Sequence, residues 1–510
     1  MRFQSFQSPF MFWIAVSAVL PAAFAQDVRV NQDPPGLITN ETSLALNPVM
    51  PGNLFMAYND QPYAGGPGLG ISFTTNFGAT WQDRQLLPPP GLVDAFDPVA
   101  AFDSIGIAFA ANINTDGIAG GASGLFLHRS NDGGNSWVLM PSPIDWGFGN
   151  LRDKPHMTAD RNSFSPYRDR LHCAWIRDFA LTGPFSDIYA TYVTGAGVNV
   201  APPQRINDAP PGVAMANGPN VAVALDGTVY VIWLDFPVTS GGQVPGTLWL
   251  DQSIDGGVTW GVDRPVRTIL TLPNALSDFR GGADVVARSY PSMAISPTNR
   301  LELYVVYAED PDGPFVGDQT DVFFIKSLDG GFTWTPPLRL NQFVGGHEFE
   351  PWIAVKPDGT IDVAWYESPP TPLGPRWSVM ITRSIDRGLT FGKPIPISDV
   401  PFASPATPWG QPWMGEYLAL VVDASMAYVG FTSSVTDPRG DVFFDRIENH
   451  LIPSGQPCPG DLDGDRDVDS SDLGILLSAW MSSGAGDLDG DGDTDSSDLG
   501  ILLANWGRIC

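Results

Sequence analysis

The sequence predicts an all-β protein, a seven-bladed β-propeller closed by its N-terminal strand, followed by a small all-α calcium-binding module. Three observations predict this. The octapeptide "SLDGGFTW" (327–334) has near-copies at 253–260, 130–137, 384–391 and 74–81, ending at Trp260, Trp137, Phe391 and Trp81. A strand–turn–strand pattern recurs seven times along 42–431. A twenty-residue acidic segment, 461–480, returns almost unchanged at 487–506.

In chain order, residues 1–25 have the form of an export signal: Arg2, the apolar run "PFMFWIAVSAVL" and "AFA" at 23–25. The expected mature chain is secreted and starts at Gln26. No later run is long and apolar enough to predict a membrane span. Residues 28–36, "VRVNQDPPG", match the fourth-strand segment "QRINDAPPG" at 204–212, so the first strand is expected to complete the last blade and close the ring.

The hairpins follow at 42–58, 98–111, 155–175, 219–233, 291–307, 351–365 and 416–431, each two apolar runs around a Gly, Asp or Asn turn. A third strand such as "DVFFIKS" leads into the octapeptide, and a fourth such as "PLRLN" leaves it. Repeats of about four antiparallel strands define a propeller. In the octapeptide, Asp and Ser/Thr are expected to bind turn N–H groups, Gly to take a positive φ, and Trp to cover neighbouring strands. Residues 26–452 therefore form the propeller, 453–460 a Pro-stiffened linker and 461–510 the terminal module.

Formal net charge is −29, with 56 Asp and Glu against 27 Lys and Arg. This argues against nucleic acid as a partner, which requires a basic footprint. Of three cysteines, Cys458 and Cys510 bracket the acidic block and are candidates for a disulfide, while Cys173 in "LHCAW" reads as a buried apolar residue.

One face of a propeller gathers the residues that enter first strands, here Glu41, Asp97, Lys154, Gly218, Tyr290, Glu350 and Gly415. The ends of second strands add Asp60, Asn112, Asp178, Asp235, Glu309 and Glu367. This is either a carboxylate-rich bowl able to do glycosidic acid–base work or a set of acids that each cap their own turn. Tyr290 and Glu350, at equivalent positions of adjacent blades, are the candidate catalytic or ligand-binding pair, with Asp97 or Asp153 as the acid. Arg152, Arg177, Arg280 and Arg288 are the cations that could offset the acids, and Trp377, Trp409 and Trp413 are candidate sugar platforms. His156 and His347 are too isolated for a metal triad.

In the acidic segments, carboxylates fall at loop positions 1, 3, 5, 7, 9 and 12 ahead of an apolar helix start, the register of a Ca2+ loop. The expected ligands of two Ca2+ ions are Asp461, Asp463, Asp465, Asp469 and Asp472, then Asp487, Asp489, Asp491, Asp495 and Asp498. Asp467 and Asp493 are expected to contribute through their carbonyls.

The octapeptide resembles the Asp-box, or bacterial neuraminidase repeat, of sialidase-like propellers. That resemblance implies a glycan- or polysaccharide-directed protein of the sialidase-like glycoside hydrolases, with the boxes as scaffold on the face opposite the ligand. Sialidases pair an arginine triad with an Asp acid/base and a Glu-activated Tyr, on six blades. This chain has no Arg-Ile-Pro tripeptide, which marks the family's first arginine, and seven repeats. A non-catalytic propeller binding glycan or protein in a cell-surface or extracellular assembly stays open beside the enzyme. The duplicated acidic segment resembles a type I dockerin, implying a cohesin-like partner contacted through Ser470, Ser471, Ser496 and Ser497.

Overall fold

Second strands such as Leu54–Gln61 and Leu303–Glu309 carry unbroken apolar runs, because they lie in the middle of a sheet covered on both faces. The computed structural model describes residues 26–510, apart from 62–67, 119, 179–184, 211–212, 238–244, 273–274, 277–284, 312–319, 343–344, 370–374, 408–409, 455–458, 464–467, 483–485, 490–492 and 508–510. The expected export signal (1–25), Cys458, Cys510, Arg280, Trp409, Asp465, Asp467 and Asp491 lie outside the described residues.

The chain is nearly all β, with two short α-helices at its end. Antiparallel meanders follow one another. Ile38–Leu46, Leu54–Gln61, Leu69–Thr74 and Gln82–Leu86 form the first sheet. Asp94–Phe102, Ala108–Thr115 and Ala122–Ser130 begin the second, with Val138–Leu139 and Asp145–Phe148 on its outer edge. Leu151–Ala159, Leu171–Asp178 and Ser186–Thr194, edged by Asn199–Val200 and Gln204–Arg205, are joined by one parallel bridge, Ser186 to Met215, to the next meander. That meander is Ala214–Val223, Val229–Pro237, Pro245–Ser253 and Arg264–Leu270. Two more start at Ser292–Ile295 and His347–Val355. In the last sheet, Ala419–Val422, Met426–Ser433 and Asp441–Glu448 receive Val28 and Arg29 opposite Phe444 and Phe443.

Neighbouring sheets share their cores. Val30, Leu44, Met56, Trp81, Tyr428 and Phe444 pack the last sheet against the first. Cys173 is buried between the second and third sheets among Leu127, Met157 and Trp175, as its apolar surroundings predicted. The first strands surround a channel of about 350 Å3, running from Thr42–Leu46 round to Ala419–Val422.

Each octapeptide is a hydrogen-bonded turn. In 384–391, Ser384 Oγ donates to Asp386 (2.7 Å) and accepts from Gly388 N (2.8 Å), while Asp386 accepts from Leu389 N and Thr390 N. The same bonds hold 253–260 and 327–334, and 74–81 makes its version with Thr74 and Asn76. The closing aromatic crosses to a neighbouring sheet: Trp137 meets Phe55, Phe391 meets Phe324 and Trp81 meets Phe444, at 4.9–5.1 Å between ring centroids. The octapeptide therefore pins one sheet to the next.

The terminal helices, α1 (Ser470–Ser478) and α2 (Ser496–Ala504), pack around Val468, Leu476 and Leu502. Gly507 N donates to Val468 O, and Met481 N donates to Thr494 O, so the two copies of the segment embrace symmetrically. No helix among the described residues is long and apolar enough to cross a membrane.

Candidate active site at the channel mouth

The first strands share an irregularity at one end. Their pairing with the second strands slips between Asn40 and Ser43, Phe96 and Val99, Asp153 and His156, Asn217 and Asn220, and Phe349 and Trp352. At the bulges stand Glu41, Asp97, Lys154, Gly218 and Glu350, with φ between 48° and 60°. The sequence had placed these residues ahead of the strands; they lie inside them. Pro follows the bulge residue at 98, 155, 219 and 351, where the broken ladder needs no N–H. A left-handed φ costs a non-glycine residue energy and persists only where the surroundings enforce it.

The bulges turn these side chains toward one mouth of the channel. Lys154 Nζ lies 2.5 Å from Glu416, 3.2 Å from Asp97 and 3.7 Å from Glu41, carboxylates of three other sheets, and 5.5 Å from the centre of the Tyr417 ring. Its backbone N–H is shared between Asp97 (3.2 Å) and Asp153 (3.0 Å). Arg288 Nε meets the other oxygen of Glu416 at 3.1 Å. Asn59 holds Glu41 by its Nδ2 (2.6 Å) and accepts from Asp97 N (2.9 Å). Two glycines make room. A Cβ on Gly218 would stand 2.4 Å from the Tyr290 ring, and one on Gly415 would stand 2.6 Å from Glu41 Cγ.

Burial and neighbouring charge divide these carboxyls. Burial, then the negative charge of Asp97, pushes Glu41 well up. Asp153 is pushed well up by burial and by Asp97. Glu350 is raised by burial and by Glu416, and neither of its oxygens has a hydrogen bond among the described residues. Asp97 goes the other way: burial would raise it, but Lys154 and hydrogen bonds from Glu41 and Asp153 outweigh that. Tyr290 is raised by burial and by Glu416, the opposite of the shift an activated phenolate nucleophile requires. A cavity of about 20 Å3, room for a single water, is bounded by His156, Arg288, Tyr290, Glu350, Glu416 and Tyr417.

All four predicted residues, Glu350, Tyr290, Asp97 and Asp153, thus belong to one cluster. Sequence reasoning missed the roles of Lys154, Glu416 and Tyr417. The recurring X-Pro was a usable signal for Lys154; nothing local marks Glu416 and Tyr417. Two acids at second-strand ends stay with their own sheets, Asp60 accepting from Gln85 and Glu367 from Trp365 Nε1, while Glu309 reaches the preceding sheet and accepts from Leu270 N. Arg152 and Arg177 both bind Asp145, away from the cluster. Trp377 is fully buried with its Nε1 on Ser404, a packing residue instead of a sugar platform.

In the terminal module, carboxylate oxygens of Asp461, Asp463 and Asp472 lie within 4.8 Å of one another, as do those of Asp487, Asp489 and Asp498. Asp472 also accepts from Leu462 N, Asp463 N and Asp469 N, and Asp498 repeats this with Leu488, Asp489 and Asp495. Asp469 and Asp495 cap α1 and α2 by accepting from Ser471 N and Ser497 N. Asp493 is exposed, and so are Ser470, Ser471, Ser496 and Ser497 at the helix starts.

No protein-family model matches the chain, and no curated protein matches it. Among solved structures, it resembles the α-L-arabinofuranosidase Arb93A of Fusarium graminearum, at 12% identity and TM-score 0.47, over 84% of this chain and 99% of that one. It also resembles an α-L-arabinanase of Penicillium chrysogenum complexed with arabinobiose, at 14% identity and TM-score 0.46, over 84% of this chain and 100% of that one. The intramolecular trans-sialidase of Ruminococcus gnavus matches at 12% identity and TM-score 0.41, over 67% of this chain and 92% of that one.

Proposed function

We propose that the chain is a secreted, carbohydrate-directed seven-bladed propeller, closed by its N-terminal strand, that cleaves glycosidic bonds at the channel mouth. The observation that carries this reading is the convergence of carboxyls on one ammonium at the mouth, where Lys154 holds Asp97 low while burial and neighbouring charge push Glu41, Asp153 and Glu350 up. Glycoside hydrolysis needs both states at once, an acid to protonate the leaving oxygen and a carboxylate to support the positive sugar carbon or its attacking water. Glu350 is the proposed acid, its oxygens free of competing bonds. Tyr290 would donate to the sugar, and Asp97 would supply the counter-carboxylate, with the Asp153 carboxyl beside it. Arg152, Arg177, Arg288 and Lys154 are all engaged by protein carboxylates, which favours an uncharged sugar over a sialic acid.

A second reading, a non-catalytic glycan-binding propeller, is favoured by the small size of the cavity beside Glu350. Incubation of the secreted chain with a panel of neutral and sialylated glycans, read by mass spectrometry, separates the two. Release of neutral sugar that Glu350→Gln abolishes supports the enzyme; retained binding with no release across the panel supports the second reading.

The terminal module is proposed to bind two Ca2+ ions and, through its exposed serines, a cohesin-like partner. Clustered hard carboxylate oxygens in the same arrangement twice suit Ca2+. The ligands would be Asp461, Asp463, Asp465, Asp467, Asp469 and Asp472, with Asp487, Asp489, Asp491, Asp493, Asp495 and Asp498. A disulfide between Cys458 and Cys510 would clasp its ends. Titration calorimetry giving two sites per chain tests the metal reading.

A further inference from the structure

The mouth contains more carboxyls than cations, and one residue touches most of them. Lys154 comes from the third sheet, yet its ammonium reaches Asp97 of the second sheet, Glu41 of the first and Glu416 of the last. The left-handed bulge at φ 48° aims it inward, and its backbone N–H adds a second donor to Asp97. The face of Tyr417 closes one side. From the segment leading into the fifth sheet, Arg288 binds the far oxygen of Glu416, and Tyr290 and Glu350 stand behind that pair in the cavity wall.

Asp97 and Asp153 accept from the same Lys154 N–H, and Asp97 and Glu41 reach the same ammonium, which crowds the three carboxyls together. Two carboxyls so crowded stay together only when one of them carries a proton, because like charges that close repel. Which one stays ionised is decided by the nearest cation. Asp97 receives both the Lys154 ammonium and its N–H, whereas Glu41 lies farther from the ammonium and Asp153 takes the shared N–H without an ion-pair contact to the ammonium among the described residues.

We propose that Lys154 is a positioning residue that sorts the protons of the Asp97–Asp153–Glu41 group, confining its negative charge to Asp97 and leaving Asp153 and Glu41 as carboxylic acids. The inference deepens the acid–base reading of this site and rests on it for its significance, but its first test needs no turnover. The raised Glu41 and Asp153 and lowered Asp97 agree with it. So does the raised Lys154, for which burial is outweighed by Asp97, Glu416 and Glu41, so the ammonium stays charged.

The test is infrared spectroscopy of the full chain, following the carboxylic C=O stretch against pH. Wild type is expected to keep carboxylic acid signal near neutral pH, and Asp153→Asn to remove part of it. Lys154→Met should gain signal, as Asp97 takes up a proton; Lys154→Arg should match wild type. Where sugar release is measurable, Lys154→Met should move the ascending limb of its pH profile upward by about one to two units, with Lys154→Arg restoring it. No change in the neutral-pH signal of a folded Lys154→Met, or loss of no signal in Asp153→Asn, would overturn the proposal. Should Lys154→Met not fold, the Asp153→Asn comparison decides alone. Absence of sugar release from every glycan, with the infrared pattern as expected, removes the hydrolase reading and leaves the proton sorting standing.

Discussion

Single residues show how repeated chemistry tolerates some changes and forbids others. In the octapeptide at 74–81, Asn76 stands where the others have Asp, and its Oδ1 still accepts from Thr80 N while its Nδ2 donates to Thr80 Oγ1. The bonds, more than the charge, hold the turn. Asp386→Asn is therefore expected to be nearly neutral, whereas Asp386→Ala, which leaves Ser384 and Thr390 without their partner, should cost about 1 kcal/mol in urea unfolding. Gly218 is a stricter case. With φ at 60° and the Tyr290 ring where its Cβ would be, Gly218→Ala is expected to cost about 1–3 kcal/mol and to push Tyr290 aside. On the hydrolase reading, sugar release would fall further than stability does, which separates displacement of the ring from simple destabilisation.

At the scale of elements, α1 and α2 begin with the same capping box, Asp469 with Asp472 and Asp495 with Asp498. Nine-residue helices are too short to be stable alone, so caps, the small core and the loops decide whether they form. Asp472 is held below the usual carboxylate range: its burial works against this, and the N–H groups of Asp469, Leu462 and Asp463 outweigh it. The sign follows. A depressed folded-state value gives stability that is complete above the ordinary value and is lost as pH falls through the lowered one. On the proposed Ca2+ reading, chelation should unfold the module at neutral pH, seen as a change in Trp480 and Trp506 fluorescence. Asp472→Ala should abolish one of two calorimetric sites while leaving the propeller's melting unchanged.

For the whole molecule, the seam where Val28 and Arg29 pair with the last sheet joins residues from opposite ends of the propeller sequence. Asp27 and Asp399 exchange backbone-to-carboxylate bonds there (2.8 and 3.0 Å), and buried Asp445 lies near both. Burial raises Asp27 to about 6 and Asp445 to about 8, with neighbouring carboxylates adding to the rise. Here the sign reverses: raised folded values give stability present below the ordinary carboxylate range and lost as pH climbs through about 6 and then about 8. Thermal melts should therefore fall between mildly acidic and mildly alkaline pH. Asp445→Asn should flatten that slope from the ordinary carboxylate range up to about 8. If the pairing closes a ring as proposed, deleting residues 26–31 should lower the melting temperature by several degrees, since Val30 is fully buried in the shared core.

Strands, turns and helix starts were readable from residues within a few positions of one another. Alternating apolar runs, the Ser–Asp–Gly–Thr–Trp spacing and the doubled acidic register each encode bonds made within a turn or between adjacent strands, and those appear in the structure where the pattern placed them. The membership of the mouth was partly readable, because repetition put Glu41, Asp97, Lys154, Tyr290 and Glu350 at equivalent positions. Their chemistry was not. Lys154 meets Glu416 across more than half the chain, and a charge's behaviour depends on distance and burial, neither of which is local in sequence. The same limit separates Asp97, held low by a nearby ammonium, from Glu350, pushed up by burial and by Glu416, although both are acids one residue before a proline.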